Sequence, residues 1–405
     1  MPPVPPRSAD PARLLLALLA DPHPRHGPAL AALGPEGQGE LVALARAQRV
    51  LAPLVLALQE AGLPPLPDRA LDRRAALARA LAVQAEALRL HQMLAEAGIA
   101  HRFLKGVVLA GQVYPTPWAR PMRDIDILLR AEDLARAHAL LVAAGGEMAR
   151  YAHKDSAPDA QAKHLPPLWS PQRLIGVELH GHAISPDCGL DARARAALDA
   201  ALWRGDGGPG RLPGPDRAAM LVHLVVHALH DHELNNGPVL ICDMRYLLDR
   251  TPPDPKRLAA LADQLGVARA LALALSLLPR AQVVQAGLGG CLRDDLRLPP
   301  PMAQALLLQP PAARNELRLA ADLAQQGRLG RLGLVLGRLF PARARLMDRW
   351  RMEGNSTPPP ARALLWLWYL CLRTRQMRAA RQTPAMGAAR DHLLGLRALR
   401  DDLRG

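Results

Sequence analysis

Aromatic side chains are scarce in this 405-residue chain: two Phe, four Tyr and six Trp, 3% of the whole. Cores made with so few rings must be built from Leu, Ala and Val, which suits helical bundles, and stacking platforms for single-stranded nucleic acid are few. Cysteine is also sparse. Cys188, Cys242, Cys291 and Cys371 stand tens of residues apart with no Cys-x-x-Cys pair, which fits reduced thiols in a cytoplasmic protein better than a disulfide framework or a zinc knuckle. Long apolar runs are missing too. Leu14 to Ala20 is too short for a secretory leader. Ala363 to Leu372, flanked by arginines, is too short to cross a bilayer, so a membrane is not expected as partner; it reads first as a buried helix and second as an interfacial anchor.

Acidic residues are the minority, 37 against 51 Lys plus Arg, giving a formal charge of +14. The excess is densest late in the chain, where basic helices would suit nucleic acid. The competing reading is arginines snorkelling on solvated helix faces.

What the chain does contain is a hydrophobic half and a clear order of segments. Helices are expected over Ala12 to Leu19, Gly39 to Ala61 and Pro67 to Ala97, making residues 1–97 an N-terminal helical region. A mixed α/β core follows over 98–204. Residues 205–215 carry too much Gly and Pro for a regular element and read as a linker. Residues 216–405 read as helical throughout.

The chemistry concentrates in the core. AGIAHRFLKG reads as a short strand ending at Lys105-Gly106, with a helix opening at the glycine. There a phosphate would meet free backbone N–H groups beside a mobile ammonium. Eighteen residues after Gly106, Asp124 and Asp126 sit in MRDIDILL, a mostly buried strand in which i and i+2 side chains leave one face roughly 6.5–7 Å apart. Two carboxylates aimed at one point call for a cation between them, typically a divalent metal. A helix is read from Ala131 to Ala144, then extended segments around Met148 to His153 and Leu174 to Ile184. In the last, Glu178 and His180 point away from Val177 and Leu179, so Glu178 stands as a third carboxylate and His180 shares its face. Such a set suits phosphoryl or nucleotidyl transfer.

LKGVVLAGQVYPTPWARPMRDIDILL followed by VELHGHAI resembles the bacterial family of uncharacterised nucleotidyltransferases, within the polymerase-beta-like superfamily. The resemblance implies an α+β fold: a small mixed-sheet nucleotidyltransferase core flanked by N-terminal helices and a C-terminal helical bundle. It implies Mg²⁺ or Mn²⁺ on Asp124, Asp126 and Glu178, with Gly106, Lys105 and Arg120 at the family's turn and arginine positions; the expected NTP rests its phosphates on Gly106, Lys105 and either Arg120 or Arg123, with His180 close by. The acceptor is left open between small molecule, peptide, protein and RNA. One departure stands out: the superfamily turn is usually Gly-Gly or Gly-Ser, and here Lys105-Gly106-Val107 lacks the hydroxyl. A nucleotide-binding or regulatory protein without turnover is therefore the alternative, beside a basic nucleic-acid-binding protein.

The helical half adds His223, His227 and His230 at i, i+4 and i+7, with Asp231 adjacent and Asp243 beyond. Three readings are open: a metal site of the histidine–aspartate phosphohydrolase kind, a His227–Asp243 pair across two helices, or histidines satisfied at a helix interface.

Overall fold

Asp10 accepts from the Ala12 amide at 2.9 Å and so caps α1 (Pro11–Ala20), whose Leu14, Leu15, Leu18 and Leu19 form one buried face. The computed structural model describes residues 10–66, 71–148, 163–205, 211–310, 313–341, 346–347, 350, 362–381 and 386–402. The short α2 (Gly27–Ala32) precedes α3 (Gly34–Ala47) and α4 (Leu51–Glu60). The single helix expected over Gly39 to Ala61 is thus two. Pro53 cannot donate to the carbonyl four residues back and its ring clashes with it, so the chain breaks at Arg49, which takes a left-handed φ of 59°. The third helix is α5 (Arg73–Glu96), capped by Asp72, with Ala80, Val83, Ala87, Leu90 and Leu94 as its buried stripe. Gly98, at φ 67°, turns the chain from α5 into the first strand.

The sheet has five strands: β1 (His101–Phe103), β2 (Asp124–Leu129), β3 (Glu147–Met148), β4 (Leu168–Trp169) and β5 (Gly176–His180), ordered β1-β2-β5-β4-β3. β2 and β5 are parallel, and the other pairings are antiparallel. Between β1 and β2 lies α6 (Lys105–Gln112), and after β2 comes α7 (Leu134–Ala143). Two extended segments come out shorter than expected. Of Met148 to His153 only Met148 falls within the described residues, and the Leu174 to Ile184 segment is a strand only over Gly176–His180. It ends at Gly181, where a Cβ would sit 2.9 Å from Leu134 Cδ1, so the chain passes too close to α7 to stay regular.

After α8 (Ala192–Leu202), the flank of the Gly/Pro-rich stretch is tied to the core: Pro213 O accepts from the Phe103 amide at 2.7 Å and Leu212 O from Gln112 Nε2 at 2.9 Å. Residues 206–210 lie outside the described residues. α9 (Arg217–Val226) and α10 (Val239–Arg250) are buried along most of their length and form the middle of the molecule. Around them pack α11 (Pro255–Gln264), α12 (Ala268–Leu275), α13 (Arg280–Gln285) and α14 (Pro300–Leu307). α15 (Arg314–Gln325), α16 (Arg328–Leu339) and helices Arg362–Arg381 and Met386–Asp402 complete the α+β fold. One apolar cluster runs from Leu14 to Leu396. Leu365 and Tyr369, from the Ala363 to Leu372 run, bury against Leu346 in a separate cluster, and no described helix is long and apolar enough to cross a membrane.

Candidate active site

Parallel pairing of β2 and β5 sets Asp126 directly beside Glu178, and the two-residue period of β5 brings His180 onto the same face. One donor atom each from Asp126, Glu178 and His180 lies within 4.8 Å of the others. His180 is fully buried, with Nε2 2.9 Å from Asp126 Oδ1 and 3.4 Å from Glu178 Oε2. Asp124 lies two residues before Asp126 on β2 and lines the same cavity, outside that tight group.

Lys105 opens α6 with a left-handed φ of 49° and sends Nζ to Asp126 Oδ1 at 3.1 Å. A lysine held in that backbone region carries strain of about 1 kcal/mol or more, of the kind that persists at functional sites. No side chain caps the first turn of α6, and its first two residues, Lys105 and Gly106, line the cavity. A Cβ on Gly106 would press on Met122 and on Arg120 Nη1 at 3.3 and 3.4 Å.

The electrostatics follow from burial set against neighbours. Burial and the charges of Asp126 and Glu178 push the Asp124 carboxyl up to about 6. Burial would also raise Asp126, but the Lys105 ammonium and His180 override it and hold the carboxyl well below its ordinary value. Glu178 is lowered against burial by its bond to His180, and His180 is raised against burial by the same two carboxylates. His180 Nδ1 is buried with no hydrogen-bond partner among the described residues. A metal-ligating histidine nearly always donates from its second nitrogen. This imidazole therefore fits a donor that orients carboxylates better than a ligand, and the hard carboxylate oxygens beside it fit Mg²⁺ or Mn²⁺.

Arg120 and Arg123 divide. Arg120 donates Nε and Nη2 to the two oxygens of Asp243 on α10 at 2.8 and 2.9 Å, and Nη1 to Pro121 O at 2.8 Å; Tyr114 adds its hydroxyl to Asp243 at 2.6 Å. Asp243 is therefore not the partner of His227. Arg123 is exposed and stays at the cavity.

The histidine face is reshaped by a π-helical turn over His227–Asp231, a rare element enriched at functional sites. His223 reaches the Ala183 carbonyl at 3.3 Å, and His227 Nδ1 lies 3.3 Å from Asp231 Oδ2. Asp231 also takes Lys163 Nζ at 2.7 Å and the Ser185 amide at 3.1 Å. Among the described residues these histidines form no three-donor group suited to a metal. Lys163, Tyr114 and the π turn escape the sequence reading, because neither period nor motif marks them.

All of this surrounds one cavity of about 970 Å³ between sheet and helical half. A second cavity, about 340 Å³ and walled by Leu51, Val83 and Trp118, adjoins it along Arg49 and Arg120 to Arg123. The model of the family described as uncharacterised nucleotidyltransferases matches residues 34–281, more than half of the chain, and the protein belongs to that family. No curated protein and no solved structure matches it.

Proposed function

We propose that the protein transfers a nucleoside monophosphate from an NTP to an acceptor that the residues leave unnamed. The observation that carries this is the register of β2 on β5, which sets Asp126 against Glu178 beside the uncapped, lysine-bearing start of α6. Asp124, Asp126 and Glu178 would hold Mg²⁺ or Mn²⁺, which when bound supplies charge neutralisation at the reacting phosphorus. His180 fixes the orientation of Asp126 and Glu178. The N–H groups of α6 and the ammonium of Lys105 bind phosphate oxygens once the lysine turns from Asp126. Burial and the charges of Asp126 and Glu178 raise the Asp124 carboxyl to about 6, and a divalent cation among the three carboxylates would relieve their mutual repulsion. The free thiols support a reducing, cytoplasmic setting.

The test is incubation of the four α-labelled NTPs, with Mg²⁺ or Mn²⁺, against cell extract. Label on one species with wild type is expected to fall by more than the about 100-fold typical for loss of an outer partner of a metal ligand in Asp126→Asn. Equal labelling by both proteins would remove the assignment. The Lys105–Asp126 ion pair and the missing turn hydroxyl favour a second reading, nucleotide binding without turnover. Mg²⁺-dependent NTP binding with no pyrophosphate release would select it.

A further inference from the structure

Most charges in the wall of the large cavity cancel in pairs. Lys105 meets Asp126, Arg120 meets Asp243, Lys163 meets Asp231 and Arg397 meets Glu233. Three arginines in the same wall do not cancel. The side chains of Arg49 and Arg123 make no hydrogen bond or ion pair among the described residues. Among the described residues the Arg314 guanidinium donates only to neutral oxygens, Gln48 Oε1 at 2.9 Å and Gln309 O at 3.4 Å.

The fold brings the three together from distant parts of the chain. Arg49 sits at the break between α3 and α4, Arg123 just before β2, and Arg314 at the first position of α15. Gln48, 4% exposed, fixes the first to the third: its Nε2 donates to Gln309 O at 3.0 Å while its Oε1 accepts from Arg314. Burial and the charges of its two companions lower Arg314, and burial and Arg123 lower Arg49. Arg49 also occupies a left-handed position that glycine would take without strain. Three like charges on one side of the cavity, none with a carboxylate in ion-pair distance among the described residues, mark a site for an anion that comes from outside.

We propose that Arg49, Arg123 and Arg314 form a receptor for condensed phosphate, gripping the β- and γ-phosphates of the NTP and the pyrophosphate that leaves. This rests on the reading of the cavity as an NTP site and assigns it residues outside the Lys105-Gly106 turn. Guanidinium forks pair with two phosphate oxygens at once, and three of them on one wall match a chain of phosphates better than a single one. Asp124 lies near enough to Arg49 and Arg123 for each to feel its charge, so such a chain runs from the carboxylates to the arginines. Arg314 lies beyond the residues 34–281 matched by the family model. The C-terminal helices thus complete a site that the matched region leaves one arm short.

Calorimetric titration of the full chain with inorganic tripolyphosphate, and separately with orthophosphate, tests this in wild type, Arg49→Gly and Arg314→Gln. Wild type should bind tripolyphosphate more tightly than orthophosphate, and each variant should bind tripolyphosphate about tenfold more weakly or worse, as loss of a charged hydrogen-bond donor predicts. Arg49→Gly is the control for folding, because glycine suits φ 59° and its thermal midpoint should hold or rise. Tripolyphosphate binding that is equal in wild type and both variants overturns the receptor and leaves the nucleotidyltransferase reading standing. Absence of tripolyphosphate binding to wild type, together with no NTP labelling, overturns both.

Discussion

His223 on α9 is wholly buried, its one side-chain hydrogen bond among the described residues joining Nε2 to the Ala183 carbonyl, and burial with the nearby Lys105 and Lys163 pushes it down to about 3. Its unfolded value is near 6.5. The unfolded chain therefore binds a proton here that the folded chain refuses, so stability gained above about pH 6.5 is lost as pH falls towards 3. Thermal midpoints of wild type should drop more steeply between pH 6.5 and 4 than those of His223→Gln. Parallel curves would show that this imidazole is not the one resisting protonation. At this scale the sequence was informative about identity but not about partners. Asp126 and Glu178 were legible as inward carboxylates from alternation alone. The bond from His180 to both of them depends on register between strands about fifty residues apart, and the capture of Lys105 by Asp126 on how α6 sits against β2, neither of which alternation encodes.

Between elements, the firmest link is the one from the loop before β2 to α10. Asp243, 1% exposed, takes both arms of Arg120 and the Tyr114 hydroxyl, and so fixes the stretch that delivers Asp124 and Asp126. Removing one side of a buried ion pair leaves the other charge uncompensated, at a cost of about 3–5 kcal/mol. Asp243→Ala should lose about that much in urea unfolding, whereas a loss under 1 kcal/mol would show that water substitutes for the pair. One of the three sequence readings paired His227 with Asp243. It assumed an unbroken α period through His230, and the π turn over His227–Asp231 alters that phase and turns His227 to Asp231 instead. The sequence reading also merged α3 with α4, because apolar periodicity carries on past the point where Pro53 forces the break.

For the molecule as a whole, the N-terminal and C-terminal helices are not separate appendages. α1 packs on α10 and α14, and helix Met386–Asp402 packs on α14 and α15, adding Leu393 and Leu396 to the common cluster. Arg397 from that helix also grips Glu233, just after the π turn, at 2.6 Å. Removing residues 386–405 takes away two buried leucines worth about 1.5–3 kcal/mol each. The truncated chain should therefore melt several degrees lower by scanning calorimetry, and an unchanged midpoint would show that the last helix is a passenger.

Local sequence determined the short strand into the Lys105-Gly106 turn, the Asp-x-Asp strand, the inward face of Glu178 and His180 and the helical character of both flanks. Each of these follows from side-chain period and from turn and capping chemistry acting over a few residues. Only the tertiary structure decided that β5 lies parallel to β2 with Asp126 opposite Glu178, that Arg120 belongs to Asp243, and that Arg49, Arg123 and Arg314 meet on one wall. Those outcomes depend on which charges come together when segments tens to hundreds of residues apart are packed, and no local pattern carries that information.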